Sequence, residues 1–237
     1  MNKLYIVIPA YNEEANIYAV AEAWYEVIVQ TGNDSRLVVI DDGSNDNTYK
    51  ILTEMAKKLP QLIALTKPNG GHGATLLYGY GYALQNGADF VFQTDSDGQT
   101  VPKEFWQFWE LREEYAALIG RRDKREDGFS RIFVTKILRF VLLCVFRLAI
   151  PDANTPFRLI KAEALKKHLP RIPLDFNLSN IMLTVCFLHY KEKVKFIPIT
   201  FKPRQGGVNS INFRKIIKIG IRAVKDFIRM RRKLDEN

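Results

Sequence analysis

Short apolar runs alternate with amphipathic stretches along the first half of the chain. Leu4–Pro9 (LYIVIP), Leu37–Ile40, Leu62–Leu65, Phe90–Gln93 and Ala117–Ile119 are compact and mostly β-branched or aromatic, which predicts five strands. Glu13–Gln30, Asn45–Lys58 and Ala74–Gln85 lie between them with helical periodicity. Strands that are apolar throughout and separated by helices predict a parallel sheet covered on both faces. Right-handed crossovers then bring the strands' C-terminal ends to one edge, where open α/β sheets bind ligands. The second half is less regular. Arg131–Ile150 is apolar with four cations, of which Lys136, Arg139 and Arg147 share a helical stripe. Its longest uncharged run, Phe140–Phe146, is too short to span a bilayer. Phe157–Ile160 and Val194–Phe201 predict strands, and Ile181–His189 predicts a buried helix. Phe213–Leu234 predicts an amphipathic helix. Phe213, Ile216, Ile217, Gly220, Val224, Phe227 and Ile228 line one face; Lys218, Arg222, Lys225, Arg229 and Arg232 line the other.

Composition adds a division of charge. The net +9 over 237 residues hides a net of −8 over residues 1–120 and +17 over 121–237. An acidic half suits a cation-binding carboxylate site, and a basic half suits phosphate or an anionic lipid surface. One domain over 1–212, made of a 1–120 half and a 121–212 half, with a basic helical tail over 213–237, is the expected organisation. Cys144 and Cys186 form no CxxC pair and sit in apolar runs, so both are expected as buried free thiols in a reducing compartment. The start, MNKLYIVIPAYNEE, turns polar after one short run, unlike a signal peptide. There is no recognised nucleic-acid motif, and the acidic half would repel phosphate backbones, so nucleic acid is not an expected partner.

The predicted strands are followed by loops with chemistry in them. Asp95-Ser96-Asp97 places two carboxylates at i and i+2 directly after a strand, where they can share Mg²⁺ or Mn²⁺ with a substrate diphosphate. An EF-hand loop is excluded, because Thr100 and Trp106 stand where it needs glycine and glutamate. In Asp41-Asp42-Gly43-Ser44 one acid can cap the following helix, and a second acid at the sheet edge is suited to a base N–H or ribose hydroxyl. Tyr11 and Glu13, after Pro9, offer a ring and a carboxylate to a nucleobase, with Asn12 as candidate N-cap. Asn69-Gly70-Gly71-His72-Gly73 permits close backbone approach, so that Gly71 can donate to an anion. The run Gly120–Arg125 offers guanidinium forks to phosphate, with Arg122 and Arg125 as candidates. Arg158 and Arg204 stand in apolar contexts, and each calls for an anionic partner, either a protein carboxylate or a ligand phosphate.

The ordered set IPAYNEE, IDDGSNDNT, NGGHGA, DSDGQ, GRR, SR, PFRL and FKPRQGG resembles family 2 glycosyltransferases, and within them the dolichyl- or polyprenyl-phosphate sugar synthases. The likeness runs from about Leu4 to Asn209. It implies a GT-A fold and inverting transfer of a sugar from a nucleoside-diphosphate sugar to a polyprenyl-phosphate or other lipid-linked acceptor. By that pattern Pro9, Tyr11, Glu13, Ile40 and Asp42 would contact the nucleoside. Asp95, Asp97 and Gln99, with Ser96 between, would hold metal and diphosphate. Arg122 and Arg204 would meet donor phosphates, and Ser130 and Arg131 the acceptor phosphate, joined by Arg125 and Arg158. Asp97, Arg122 and Arg131 would carry the chemistry. The run from Arg204 is QGGVNS, with Ser210 where the synthases usually have lysine, and Val134 replaces an asparagine, which leaves the sugar and acceptor open. Transfer to a glycan hydroxyl, with Asp175 as base, is the alternative. A lipid acceptor together with the 213–234 helix implies peripheral attachment at the inner, cytoplasmic face of a membrane, without a transmembrane segment. Self-association into a homo-oligomer is left open.

Overall fold

The computed structural model describes residues 2–122, 129–174, 176–203 and 213–235. Seven strands form one sheet: β1 (Leu4–Ala10), β2 (Arg36–Asp41), β3 (Leu62–Thr66), β4 (Phe90–Thr94), β5 (Ala117–Arg122), β6 (Phe157–Lys161) and β7 (Val194–Ile199). Their order is β3-β2-β1-β4-β6-β5-β7. The β1, β2, β3 and β4 pairings and the β5–β7 pairing are parallel; β6 runs antiparallel between β4 and β5. This is the mostly parallel α/β architecture expected, with one inserted strand whose direction no local pattern encodes. Because β6 is reversed, its N-terminal end joins the C-terminal ends of β4 and β5, and residues 152–158 reach the ligand edge.

Helices cover both faces. α1 (Ile17–Thr31), α2 (Thr48–Ala56) and α4 (Phe105–Glu110) lie on one side. α3 (His72–Gln85), α5 (Phe129–Phe146), α6 (Ala162–His168), α7 (Ser179–His189) and α8 (Phe213–Asp235) contribute to the core on the other. The first core centres on Phe92, whose ring lies 5.1 Å from Trp24, 5.1 Å from Phe105 and 4.7 Å from Phe157. All four rings are fully or almost fully buried, and burying each stabilises the fold by roughly 1.5–3 kcal/mol.

α8 meets the second core. Phe227, Met230 and Leu234 are buried, with Phe227 stacking edge-on to Phe146 at 5.9 Å. Its described second half is therefore packed on the domain, and Ile228, expected on the apolar face, is largely exposed. α5 is the opposite case. Ile137, Phe140 and Leu143 point outward, with Phe140 67% exposed. Cys186 is buried as expected, but Cys144 is exposed on α5. Among the described residues no helix is long and apolar enough to cross a membrane.

Candidate active site

The loops leaving β1, β2, β3 and β4 converge on one cleft of about 450 Å³. The first two are stitched together. Asn12 takes a positive φ of 52° and does not cap α1, whose N-cap is Asn16. Its amide donates to Ser44 Oγ (2.9 Å), and its Oδ1 accepts from the Asn45 amide (2.9 Å). The Glu13 amide donates to Thr48 Oγ1 at 2.9 Å. Asp41 closes the β2 turn, accepting from the Ser44 amide at 3.2 Å and from Thr66 Oγ1 at 2.8 Å. Gly43 makes that turn possible at φ 69°, where a Cβ would stand 2.9 Å from the Asn69 amide nitrogen.

Asp42 gathers the third loop. Its carboxylate accepts from the amides of Gly70 (2.9 Å) and Gly71 (2.8 Å) and from the Lys67 ammonium, while its carbonyl accepts from Asn69 Nδ2 (2.9 Å). Burial would raise this carboxyl, but Lys67 and the glycine amides outweigh it and hold Asp42 below the ordinary carboxylate range. The glycine loop does cradle an anion, as its composition suggested, and that anion is the protein's own carboxylate. The loop also packs tightly on the entry to α7: a Cβ on Gly73 would lie 2.3 Å from the Phe176 carbonyl oxygen.

Pro9, Tyr11, Glu13, Asp42, Gly71, Asp95, Ser96 and Asp97 all line the cleft. Tyr11 is half exposed, with its ring available for stacking, whereas Glu13 is nearly buried. The side chain of Ile40, expected beside the nucleoside, is fully buried in the core on the α3 side and lies outside the cleft lining.

The acidic pair sits on a short turn. Gln93 Nε2 donates to Asp95 Oδ1 (3.2 Å), the Gln99 amide donates to Asp97 Oδ1 (3.2 Å), and Thr94 and Thr100 hydroxyls pair at 2.8 Å beneath. Desolvation, reinforced by the Asp97 carboxylate, raises Asp95 to about 6 against the pull of His72, Arg122 and Arg158. Two carboxylates side by side on one turn at the cleft wall fit a shared divalent cation. Among the described residues no three His, Cys, Asp or Glu side chains converge to hold an ion, so a cation at this pair would take its remaining ligands from water or a bound phosphate. Gln99 is only partly what was expected. It is nearly buried, and its Nε2 donates to the Lys202 carbonyl (2.7 Å) while the Lys202 amide returns to the Gln99 carbonyl (2.8 Å). It therefore ties the acidic turn to the chain leaving β7.

Two arginines are held by partners within the protein. Arg158 is fully buried, and its guanidinium donates to the carbonyls of Ala153, Thr155 and Asn180 and to Thr184 Oγ1, at 2.9–3.2 Å. It is a structural clasp within the protein, which removes it from the acceptor-binding set. Arg122 is paired with Asp152, through Nε to Oδ2 (2.8 Å) and Nη2 to Oδ1 (2.9 Å). Arg125, Arg204 and Asp175 lie outside the described residues, as do the side chains of Ser130 and Arg131 on α5. Sequence reasoning missed His72, which lines the cleft with Nε2 3.8 Å from Asp95 Oδ1. Metal-ligand spacing is a linear criterion and could not find it; its place in the glycine loop was the available signal. Lys67 and Asp152 were missed likewise.

The profile of glycosyl transferase family 2 matches residues 5–169. The undecaprenyl-phosphate 4-deoxy-4-formamido-L-arabinose transferase of Proteus mirabilis is 25% identical over 223 residues, 92% of this chain and 66% of that protein. This chain thus spans just under two thirds of that relative. The polyprenol monophosphomannose synthase of Mycolicibacterium smegmatis is 26% identical, with 93% and 88% covered. The UDP-N-acetylglucosamine–dolichyl-phosphate N-acetylglucosaminyltransferase of Methanococcus voltae is 28% identical, with 69% and 71% covered. Among solved structures, glucosyl-3-phosphoglycerate synthase from Mycobacterium tuberculosis, in complex with Mn²⁺, UDP-glucose and glycerol 3-phosphate, superposes with a TM-score of 0.66 at 16% identity, covering 97% of this chain and 80% of its own. That likeness speaks to the fold, which is of the GT-A type. On the match of its sequence to that profile, the chain belongs to glycosyl transferase family 2.

Proposed function

We propose that this protein transfers a sugar, with inversion, from a nucleoside-diphosphate sugar to a polyprenyl-phosphate-type lipid acceptor, with Mg²⁺ or Mn²⁺ at Asp95 and Asp97. The observation that carries the reading is the convergence of four sheet-edge loops on one cleft with the acidic pair on its wall. The polyprenyl- and dolichyl-phosphate specificity named for three relatives supports the acceptor class. In this reading Tyr11 and Glu13 flank the nucleoside, and Asp95 and Asp97 face the donor diphosphate. A divalent cation bound there would supply positive charge to the leaving diphosphate. Gln99 holds the acidic turn against the Lys202 segment, and the chain runs on from there towards Arg204, the residue proposed for the donor phosphates. Ser130, Arg131 and Arg125 take the acceptor phosphate. A phosphate monoester is nucleophilic near neutrality, with a second pKa of about 6, so the protein's work is positioning and charge stabilisation.

Incubation with radiolabelled UDP- and GDP-sugars, Mn²⁺ and either undecaprenyl phosphate or a lipid-linked disaccharide tests this. Label is expected in the polyprenyl phosphate; label confined to the disaccharide lipid would overturn the acceptor assignment.

The same reading puts the protein on an anionic membrane surface, and the exposed apolar stripe of α5 is the contact that supports it best. Ile137, Phe140 and Leu143 stand out beside the exposed Lys136, Arg139 and Arg147, while α8 exposes Lys225, Arg229, Arg232 and Lys233. Removing one inserted aromatic forfeits roughly 1.5–3 kcal/mol of burial, so Phe140→Asp should weaken binding to phosphatidylglycerol vesicles by about tenfold or more. Unchanged co-sedimentation would remove α5 from the interface.

A further inference from the structure

Arg122 is the last residue of β5, at the sheet edge that carries the cleft. Its guanidinium is held on several sides. Nε and Nη2 form the two-point pair with Asp152, whose Oδ2 also lies 3.4 Å from the Arg122 amide. The Phe201 ring lies 5.0 Å from the guanidinium carbon. Phe201 is itself fixed from both sides in sequence: the Thr200 amide donates to both Glu104 oxygens at 3.0 Å, and Lys202 is locked to Gln99. Asp152 is almost fully buried, so the pair is shielded from water and from salt.

A guanidinium gripped along its Nε–Nη2 edge keeps a fixed plane, and Nη1 takes no part in that grip. Arg122 ends β5 at the same sheet edge as the acidic turn that follows β4, beside the residues that line the cleft. A free arginine at that place would carry several rotamers. This one is pre-aimed, which removes the ordering cost from the bound state. The geometry points to Asp152 as a positioning residue: it orients Arg122 toward the donor diphosphate and partly offsets its charge, with Phe201 setting the plane of the guanidinium. This rests on the proposed donor-phosphate role of Arg122 and gives that role a mechanism. Asp152 acts through Arg122 and touches no substrate.

A double-mutant cycle over Arg122→Gln, Asp152→Asn and the double variant tests it. The readouts are kcat for transfer to undecaprenyl phosphate and the Kd of UDP and GDP in Mn²⁺. Asp152→Asn should lower kcat about tenfold or more while the better-bound nucleoside diphosphate changes Kd by less than about threefold, because orientation is lost while positive charge remains. In the Arg122→Gln background the same change should cost nothing further in either constant. A purely structural role would instead make the two effects multiply, and that result, or an undiminished kcat in Asp152→Asn, would overturn the inference. Should Asp152→Asn fail to fold, Asp152→Glu keeps the charge and shifts the fork by one methylene; it should fold and still lose kcat, and wild-type turnover there would sink the idea. Wild-type protein that labels the lipid-linked disaccharide and no polyprenyl phosphate would refute the acceptor reading alone, and the cycle is then read in kcat for that acceptor, where the loss from Asp152→Asn must again vanish without Arg122 and a loss that persists would overturn the inference.

Discussion

Asp97→Ala is expected to lower sugar transfer by roughly 10³-fold, the scale of losing several kcal/mol of charge stabilisation at a leaving diphosphate. Asp97 lies half-buried on the turn after β4, at the cleft wall beside Asp95. A half-buried surface turn contributes little to the core, so the melting midpoint without ligand should stay close to wild type. The separation of the two effects is the test. UDP or GDP with Mn²⁺ should raise the melting temperature of wild-type protein and not that of the variant. A variant that kept a tenth of the activity, or was stabilised equally by the nucleotide, would remove Asp97 from the centre.

Arg158→Met should act in the opposite way, on the fold first. The side chain is fully buried and satisfies three carbonyls and a threonine hydroxyl contributed by the segment before β6 and the start of α7. Methionine fills much of the volume and supplies no donor, so several buried acceptors lose their partner together, at about 1–3 kcal/mol each. A loss of about 3–5 kcal/mol in a denaturant titration is expected, a large share of the roughly 5–15 kcal/mol that holds an ordinary domain together. Arg158→Lys should recover little, because one ammonium cannot reach acceptors spread around a planar fork. A change below about 1 kcal/mol for Arg158→Met would show that water takes over the bonding.

These two residues mark where the sequence was readable and where it was not. Asp95 and Asp97 were legible because their chemistry is local: two acids one residue apart after a strand need only that strand to be placed correctly, and Phe90–Thr94 announces itself as an apolar run. Arg158 was legible as a residue in need of partners. The partners were not legible, since they come from residues 153–155 and 180–184, and all but the Thr184 hydroxyl are carbonyls that every sequence possesses. The reversal of β6 has the same origin: pairing direction is decided by which neighbours a strand meets. α1 begins later than its periodicity suggests because Asn12 to Glu14 are occupied in joining the β1 and β2 loops. The aromatic run of α4 and the seven residues of α6 are too short to display a helical period. The burial of Ile40 was not legible either, since a residue beside the cleft in the chain can still turn its side chain into the core.

The Asp42 carboxylate closes the glycine loop from inside the fold, and this has a kinetic consequence. The loop and its lysine are held by the fold itself, so a nucleotide bound as proposed would not have to order this wall of the cleft. Encounter should then be limited by diffusion and orientation, with discrimination between nucleotides expressed in how fast each one leaves. A chain lacking that internal anion would leave two glycine amides and a lysine to be recruited by whatever phosphate came near, trading selectivity for general adhesion.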